Sequence, residues 1–260
     1  RKKMLALATS WMDPWAQLYE SVTSQRLSLE DWERTLETAS DCGLLYRMAG
    51  QPDRYFCSPE LPQFLRGKLR RQVGEPGFRK LDNAIPVLYE EFARILIRLL
   101  QSHPKDAGRE GSAEEGNLLR ALHITLRLEN WYRAWGFTQV LARWFDFRKE
   151  PGAWRLHRHY LLARIGRELS PEDPPELTEL RVYLLEQEIA EQLDNGEFDK
   201  VAATRNAMLD LVSAQSGPDA EIRRATCLHD LANVAFRRRQ LDEAARLCGQ
   251  ALEIFERLER

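Results

Sequence analysis

Apolar residues recur every three or four positions through most of this chain, and short polar turns interrupt them. That spacing predicts amphipathic helices. The final stretch, DAEIRRATCLHDLANVAFRRRQLDEAARLCGQALEIFERL, reads as two helices joined near Arg239-Gln240. The stretch before it, ELRVYLLEQEIAEQLDNGEFDKVAATRNAMLDLVSAQ, reads as two more, joined at Asn195-Gly196. Phe198-Asp199 aligns with Leu241-Asp242, 43 residues later. A repeat of this size predicts stacked helical hairpins, each burying one face on its neighbour.

Upstream, NLLRALHITLRLEN, WYRAWGFTQVLARWFDFRK and AWRLHRHYLLARIGREL also read as helices. The spacing predicts another helix from Pro86 to Ser102. The polar, Gly-rich HPKDAGREGSAEEG predicts an exposed loop, and RRQVGEPGFRKLDNAIP a break. Nearer the start, PWAQLYESV carries Trp15, Leu18, Tyr19 and Val22 at helical spacing. Ser28 is an N-cap with Asp31 three residues on, ahead of Trp32, Leu36 and Ala39 along one face. Gly43 closes that helix. Two short β-prone pieces then flank a turn at Gly50, Pro52 and Asp53. Helix, turn, helix, small hairpin is the order of a winged helix. The expected organisation is a winged-helix-like domain over 1–72 and a linker helix with exposed loop over 73–116. Atypical helical hairpins follow over 117–175 and regular hairpins over 176–260.

Composition narrows the function. The 260 residues carry a net charge of -2, with 30% charged residues of mixed sign. Such charges read as solvated helix faces and provide no field for nucleic acid or an anionic membrane. No run approaches the roughly 18 apolar residues of a membrane span. The basic start RKKMLALATSWMD is broken by Trp11 and Asp13 and is no secretory signal. The first residue is not Met, so the expectation is a fragment of a longer protein. Cys42, Cys57, Cys227 and Cys248 are widely spaced, which predicts reduced buried thiols in a cytoplasmic protein rather than a zinc site. His157 and His159 stand about 200° apart on a helix and cannot share an ion as an i, i+4 pair can.

Candidate chemistry is sparse. No phosphate-binding G-x-x-x-x-G-K-[ST] run occurs, and VGEPGFRK has the wrong spacing. No G-x-S-x-G is present. Carboxylate pairs such as Glu114-Glu115 lie in solvated segments. No catalytic, metal or cofactor site is therefore expected. Trp131, Trp135, Trp144, Phe145 and Trp154 fit inter-helix core better than a ligand pocket. Arg237, Arg238 and Arg239 sit at a hairpin tip, as a solvated turn or as a contact for an acidic partner.

Two resemblances sharpen this. The closing hairpin resembles a tetratricopeptide repeat. Leu228, Leu231, Ala232, Ala244, Ala251 and the turn at Arg239-Gln240 fall on that motif's large and small positions, while Ala235 and Cys248 stand where larger residues are usual. The earlier segments are similar to the C-terminal part of STAND-class signalling ATPases, relatives of the NB-ARC and NACHT proteins. There an acidic residue and an NL..AL pattern open the sensor array, here Glu115, Asn117, Leu118, Ala121 and Leu122. Tyr55, Pro59, Leu61, Phe64 and Leu65 fit the winged-helix end of that class. Its usual His, which contacts a nucleotide phosphate, is replaced by Ser58. The resemblance implies a regulatory portion of a larger signalling protein, with an ATPase core upstream in the same full-length chain.

The fold expected is all-α: an α-solenoid of tetratricopeptide-like hairpins preceded by a small winged-helix-like domain. The function expected is non-catalytic recognition of a protein or peptide partner in the solenoid groove. Asn233, Phe236 and Arg237 are the candidate contacts on its inner face. The alternative is a DNA-binding transcriptional regulator that uses the winged helix, with the solenoid as effector sensor. The acidic set Glu30, Asp31, Glu33, Glu37 and Asp41 on its recognition helix argues against DNA. Arg66, Lys68, Arg70 and Arg71 argue for it.

Overall fold

A computed structural model of the chain describes residues 17, 20–26, 28–48, 51–57, 61–166, 170, 172–213 and 216–259. The expectations at Trp15, Leu18, Tyr19, Ser58 and Pro59 fall outside them. The chain divides into two compact units, residues 1–128 and 129–260.

In the first unit, α1 (Leu29–Asp41) starts as its sequence predicts. The Ser28 hydroxyl accepts from the Asp31 amide at 3.1 Å, and the Asp31 carboxylate accepts from the Ser28 amide at 2.9 Å. This reciprocal box satisfies two amides that a helix start leaves open. Strands β1 (Leu45–Met48) and β2 (Gln51–Cys57) follow as an antiparallel pair, with Arg47 opposite Tyr55 and an irregularity between Arg47 and Met48.

The next helices correct the sequence reading. Helix α2 runs from Leu61 to Ser102 with one non-helical residue, Gly74, where two helical segments meet in a kink. The expected break therefore shrinks to a single residue. Pro76 falls in the first turn after the kink, where its missing N–H is no loss. Gly77 is set by close packing: a Cβ there would lie 2.9 Å from Val22 Cγ1 and 3.1 Å from Val73 Cβ. The expected loop at 103–116 is helical too, because α3 spans Pro104–Arg127. Ala107 and Gly111, one turn apart, are buried in that stretch, and α3 packs along α2. Small residues there serve helix contact rather than solvent exposure.

A buried carboxylate joins α2 to α3. Asp82 is 6% exposed and accepts from Arg120 at 2.6 Å, Arg127 at 3.1 Å and Arg66 at 3.4 Å. Burial pushes its pKa up. The hydrogen bonds of Arg120 and Arg127, with the charges of Arg120 and Arg66, outweigh that and hold it below the usual carboxylate range. Two turns further on α2, the Tyr89 hydroxyl donates to Glu114 at 2.7 Å. Leu118, Ala121 and Leu122, which the sequence placed at the start of a helical array, are buried on α3.

The second unit is a run of helices: α4 (Trp131–Phe147), α5 (Pro151–Ile165), α6 (Pro175–Asp194), α7 (Phe198–Ser213), α8 (Pro218–Arg237) and α9 (Leu241–Leu258). Pro151, Pro175 and Pro218 each open a helix, where a fixed φ is pre-organised. Consecutive helices pack together along most of this unit, and α4 also packs on α6. Phe198 and Leu241, paired by the 43-residue repeat, both open a helix. Trp144, Phe145 and Trp154 are buried, with Phe145 and Trp154 stacked at 6.3 Å, so these aromatics form core as expected. Arg181 ties the longer connection between α5 and α6 by bonding the Ile165 carbonyl and the Asp173 carboxylate.

The three tight turns share one construction. At Lys149, Gly196 and Arg239 the backbone takes a positive φ of 59°, 73° and 62°. In each, that residue's amide donates three residues back and the next amide donates five residues back. The bonds run from Lys149 to Asp146 and Glu150 to Phe145, from Gly196 to Leu193 and Glu197 to Gln192, and from Arg239 to Phe236 and Gln240 to Ala235. These paired bonds satisfy carbonyls that a helix end would leave open.

Candidate partner-binding groove

Helix α8 divides cleanly into two faces. Ala225, Leu228, Leu231, Ala232 and Ala235 pack with Ala244, Leu247, Ala251 and Ile254 of α9 in one buried cluster. Alanines at 232, 244 and 251 let the two helices approach closely. Away from this cluster, Ile222, Thr226, His229, Asn233 and Phe236 are all exposed, at alternating steps of four and three residues. Arg237 is exposed beside them. The three residues named from the sequence, Asn233, Phe236 and Arg237, thus share one accessible surface, and Phe236 is 62% exposed.

Shifting that stripe back by 43 residues gives Glu179, Tyr183, Glu186, Ala190 and Leu193 on α6. Three of these line a small cavity of 120 Å³, together with Val182, Trp135 of α4 and Arg223 of α8. The cavity is therefore built by α4, α6 and α8, the first helices of successive hairpins. Trp135 and Tyr183 meet edge to face at 5.0 Å and form its aromatic wall. Arg223 bonds Glu179 at 2.6 Å across α8 and α6.

Charge is concentrated behind this wall. Arg205 of α7 is buried and bonds Asp230 of α8 at 2.6 Å, with Glu186 at 4.0 Å. Burial pushes the Glu186 carboxyl up; Arg205 and Arg223 pull it down, while Asp230 and Glu179 push it further up. Burial likewise raises the Tyr183 phenol, against a smaller pull from Arg143. Tyr183 therefore stays a neutral donor, and the carboxylates favour cationic or N–H-bearing groups.

The sequence reading missed Glu179, Tyr183, Glu186 and Arg223. The same 43-residue shift that aligned the turns would have carried the Asn233 stripe onto α6. Other expectations changed as well. Cys227 is buried, and burial raises its thiol pKa, but Cys42 and Cys248 are exposed. Arg238 of the tip bonds Asp199 of the neighbouring turn. No group of residues that could hold a metal ion occurs among the described residues.

Residues 224–259 match the tetratricopeptide repeat family. The match covers α9 and most of α8. Neither a search of curated proteins nor a search of solved structures found a match. With the helical architecture, this makes the second unit a tetratricopeptide-like helical array. Its final repeat contains Asn233, Phe236 and Arg237. A tetratricopeptide repeat is a protein–protein interaction element, and no described helix is long and apolar enough to cross a membrane.

Proposed function

We propose that residues 129–260 form a non-catalytic recognition module that takes an extended peptide or a partner segment along α4, α6 and α8. One observation carries this reading: residues from the first helices of three successive hairpins jointly line an aromatic and charged cavity. Asn233 supplies a donor and an acceptor to a peptide backbone, Phe236 an apolar contact and Arg237 a charge-assisted bond to a carboxylate. The wider setting belongs to the same proposal: a cytoplasmic regulatory part of a STAND-type signalling ATPase, with a winged-helix-like domain over 1–72 and an ATPase core upstream in the same full-length chain. In this setting capture of the partner by the array releases the core from inhibition.

The DNA-binding alternative has less support. Arg66 is engaged with Asp82, Arg70 with Glu75, and Lys68 sits over the Phe64 ring. The exposed acidic residues of α1 repel phosphates.

The test is a pull-down from the native host with the wild-type chain and the Asn233→Ala/Arg237→Ala variant. Both side chains are exposed, so thermal unfolding should be unchanged. Partner capture should weaken by about 1–3 kcal/mol. Equal recovery by both chains would move the site off this groove. Loss of capture only on removing residues 1–72 would assign it to the wing.

A further inference from the structure

Arg66 and Asp82 both lie on α2, 16 residues apart, yet their side chains meet at 3.4 Å. That many residues of straight helix span about 24 Å. The chain therefore folds back at Gly74, whose φ of 72° is a glycine conformation. The fold-back leaves a pocket of 360 Å³ between the two segments of α2 and α3, wholly within the first unit. Small-molecule sites begin at about this size. The lining is mostly apolar, with Leu69 before the kink and Phe78, Leu81, Ile85 and Leu88 after it.

The polar groups of the lining form two sets. Tyr89 and Asn117 both donate to the Glu114 carboxylate, at 2.7 and 2.8 Å. Arg66 and Arg120 share one oxygen of Asp82, whose other oxygen takes Arg127. Three guanidiniums thus converge on one carboxylate, and positive charge is in excess beside an apolar wall. Arg66 has the longest of the three bonds and a side chain 47% exposed, so its remaining N–H donors are open to a ligand. Burial lowers the Arg66 pKa, and the charges of Arg120, Arg70 and Arg127 lower it further against the pull of Asp82. An anion beside Arg66 would relieve that repulsion.

From the fold-back and the excess of guanidiniums we infer that this pocket binds a small amphipathic carboxylate. Its hydrocarbon body lies on Phe78, Leu81, Ile85 and Leu88, and its carboxylate meets Arg66 and Arg120. An apolar body accounts for the lining, and a charge-assisted bond to guanidinium for the polar edge. The backbone of both helices is hydrogen-bonded within the helices, so a peptide main chain would find few partners here. The site is independent of the groove on α4, α6 and α8.

The test is calorimetric titration of the full chain with octanoate, octanol and acetate. Octanoate should bind one to one, with octanol and acetate each weaker by about tenfold or more. Arg66→Gln should weaken octanoate about tenfold and leave octanol unchanged, which a merely structural role for Arg66 would not produce. Ile85→Trp, which fills the pocket from a half-buried lining position, should weaken both. Arg71→Gln removes the same charge from an exposed residue that bonds only its own turn, and should change neither. Thermal unfolding checks that each variant is folded. Octanol binding as tightly as octanoate would overturn the inference, as would octanoate binding that is unchanged by Arg66→Gln or by Ile85→Trp. So would tighter binding of a leucine-rich pentapeptide with a free C-terminus, since the occupant would then be a chain end.

Discussion

Gly196 and Arg239 occupy the same backbone position in successive hairpins, with φ of 73° and 62° and the same pair of closing hydrogen bonds. Glycine takes this left-handed conformation without a Cβ penalty; arginine carries it as strain. Arg239→Gly should therefore stabilise the chain by about 0.5–1 kcal/mol, after the extra freedom of glycine in the unfolded chain is deducted. Gly196→Ala should cost about 1 kcal/mol, from the backbone alone. An added Cβ at Gly196 meets nothing within 4 Å. Urea unfolding midpoints check both, and an Arg239→Gly variant less stable than wild type would contradict the shared geometry.

Asp82 is the next site where one substitution has a calculable effect. Removing its carboxylate leaves Arg66, Arg120 and Arg127 facing one another. Those guanidiniums are 37–53% exposed and regain water, so Asp82→Ala should cost about 2–3 kcal/mol, below the full value for a buried pair. The folded pKa of Asp82 is lowered, so its contribution is fully present above the unfolded value of about 3.9 and is lost as pH falls through the folded value. Asp82→Asn should flatten the acid limb of the stability profile below about pH 4. Unfolding free energies measured between neutral and acid pH check the sign.

Much of the array was legible because its rules are local. Ser28 and Asp31 form a cap that sequence spacing alone predicts, and Phe198 and Leu241 open helices because a turn and an acidic residue flank each. Residues 103–116 were not legible. Their glycines read as a loop by composition, but Ala107 and Gly111 are buried in a helix that packs along α2. Small residues signal a loop or a close helix contact equally well, and only tertiary packing decides. The exposed face of α8 lay between these cases. That Asn233 and Phe236 share an accessible surface followed from the spacing of the last repeat, while the cavity lined by Glu179, Tyr183 and Trp135 forms only when α4, α6 and α8 stack.

Ala244 tests the packing of the last repeat directly. It is 7% exposed and belongs to the cluster with Leu228, Leu231 and Ala232. Ala244→Trp forces a bulky ring into a joint set by small residues and should cost about 1–3 kcal/mol or more. An unchanged thermal midpoint would contradict the tight α8/α9 joint. Ala245→Trp, one residue on and exposed, should be near neutral.

Arg205 holds the joint between the last two hairpins. Its guanidinium is buried, bonds Asp230 at 2.6 Å and has Glu186 only at 4.0 Å; its Nε has no partner among the described residues. Asp230→Ala strands that charge between α7 and α8 and should cost about 3 kcal/mol. Replacing both ends, Arg205→Met with Asp230→Leu, removes the desolvation cost together with the bond. The double variant should recover most of the loss, in keeping with the near-neutral exchange of buried pairs for apolar residues of similar size. A double-mutant cycle on unfolding free energy measures the coupling. Additive losses, with the double variant as unstable as the sum of the two single ones, would mean that Arg205 and Asp230 stabilise the joint independently rather than as a pair.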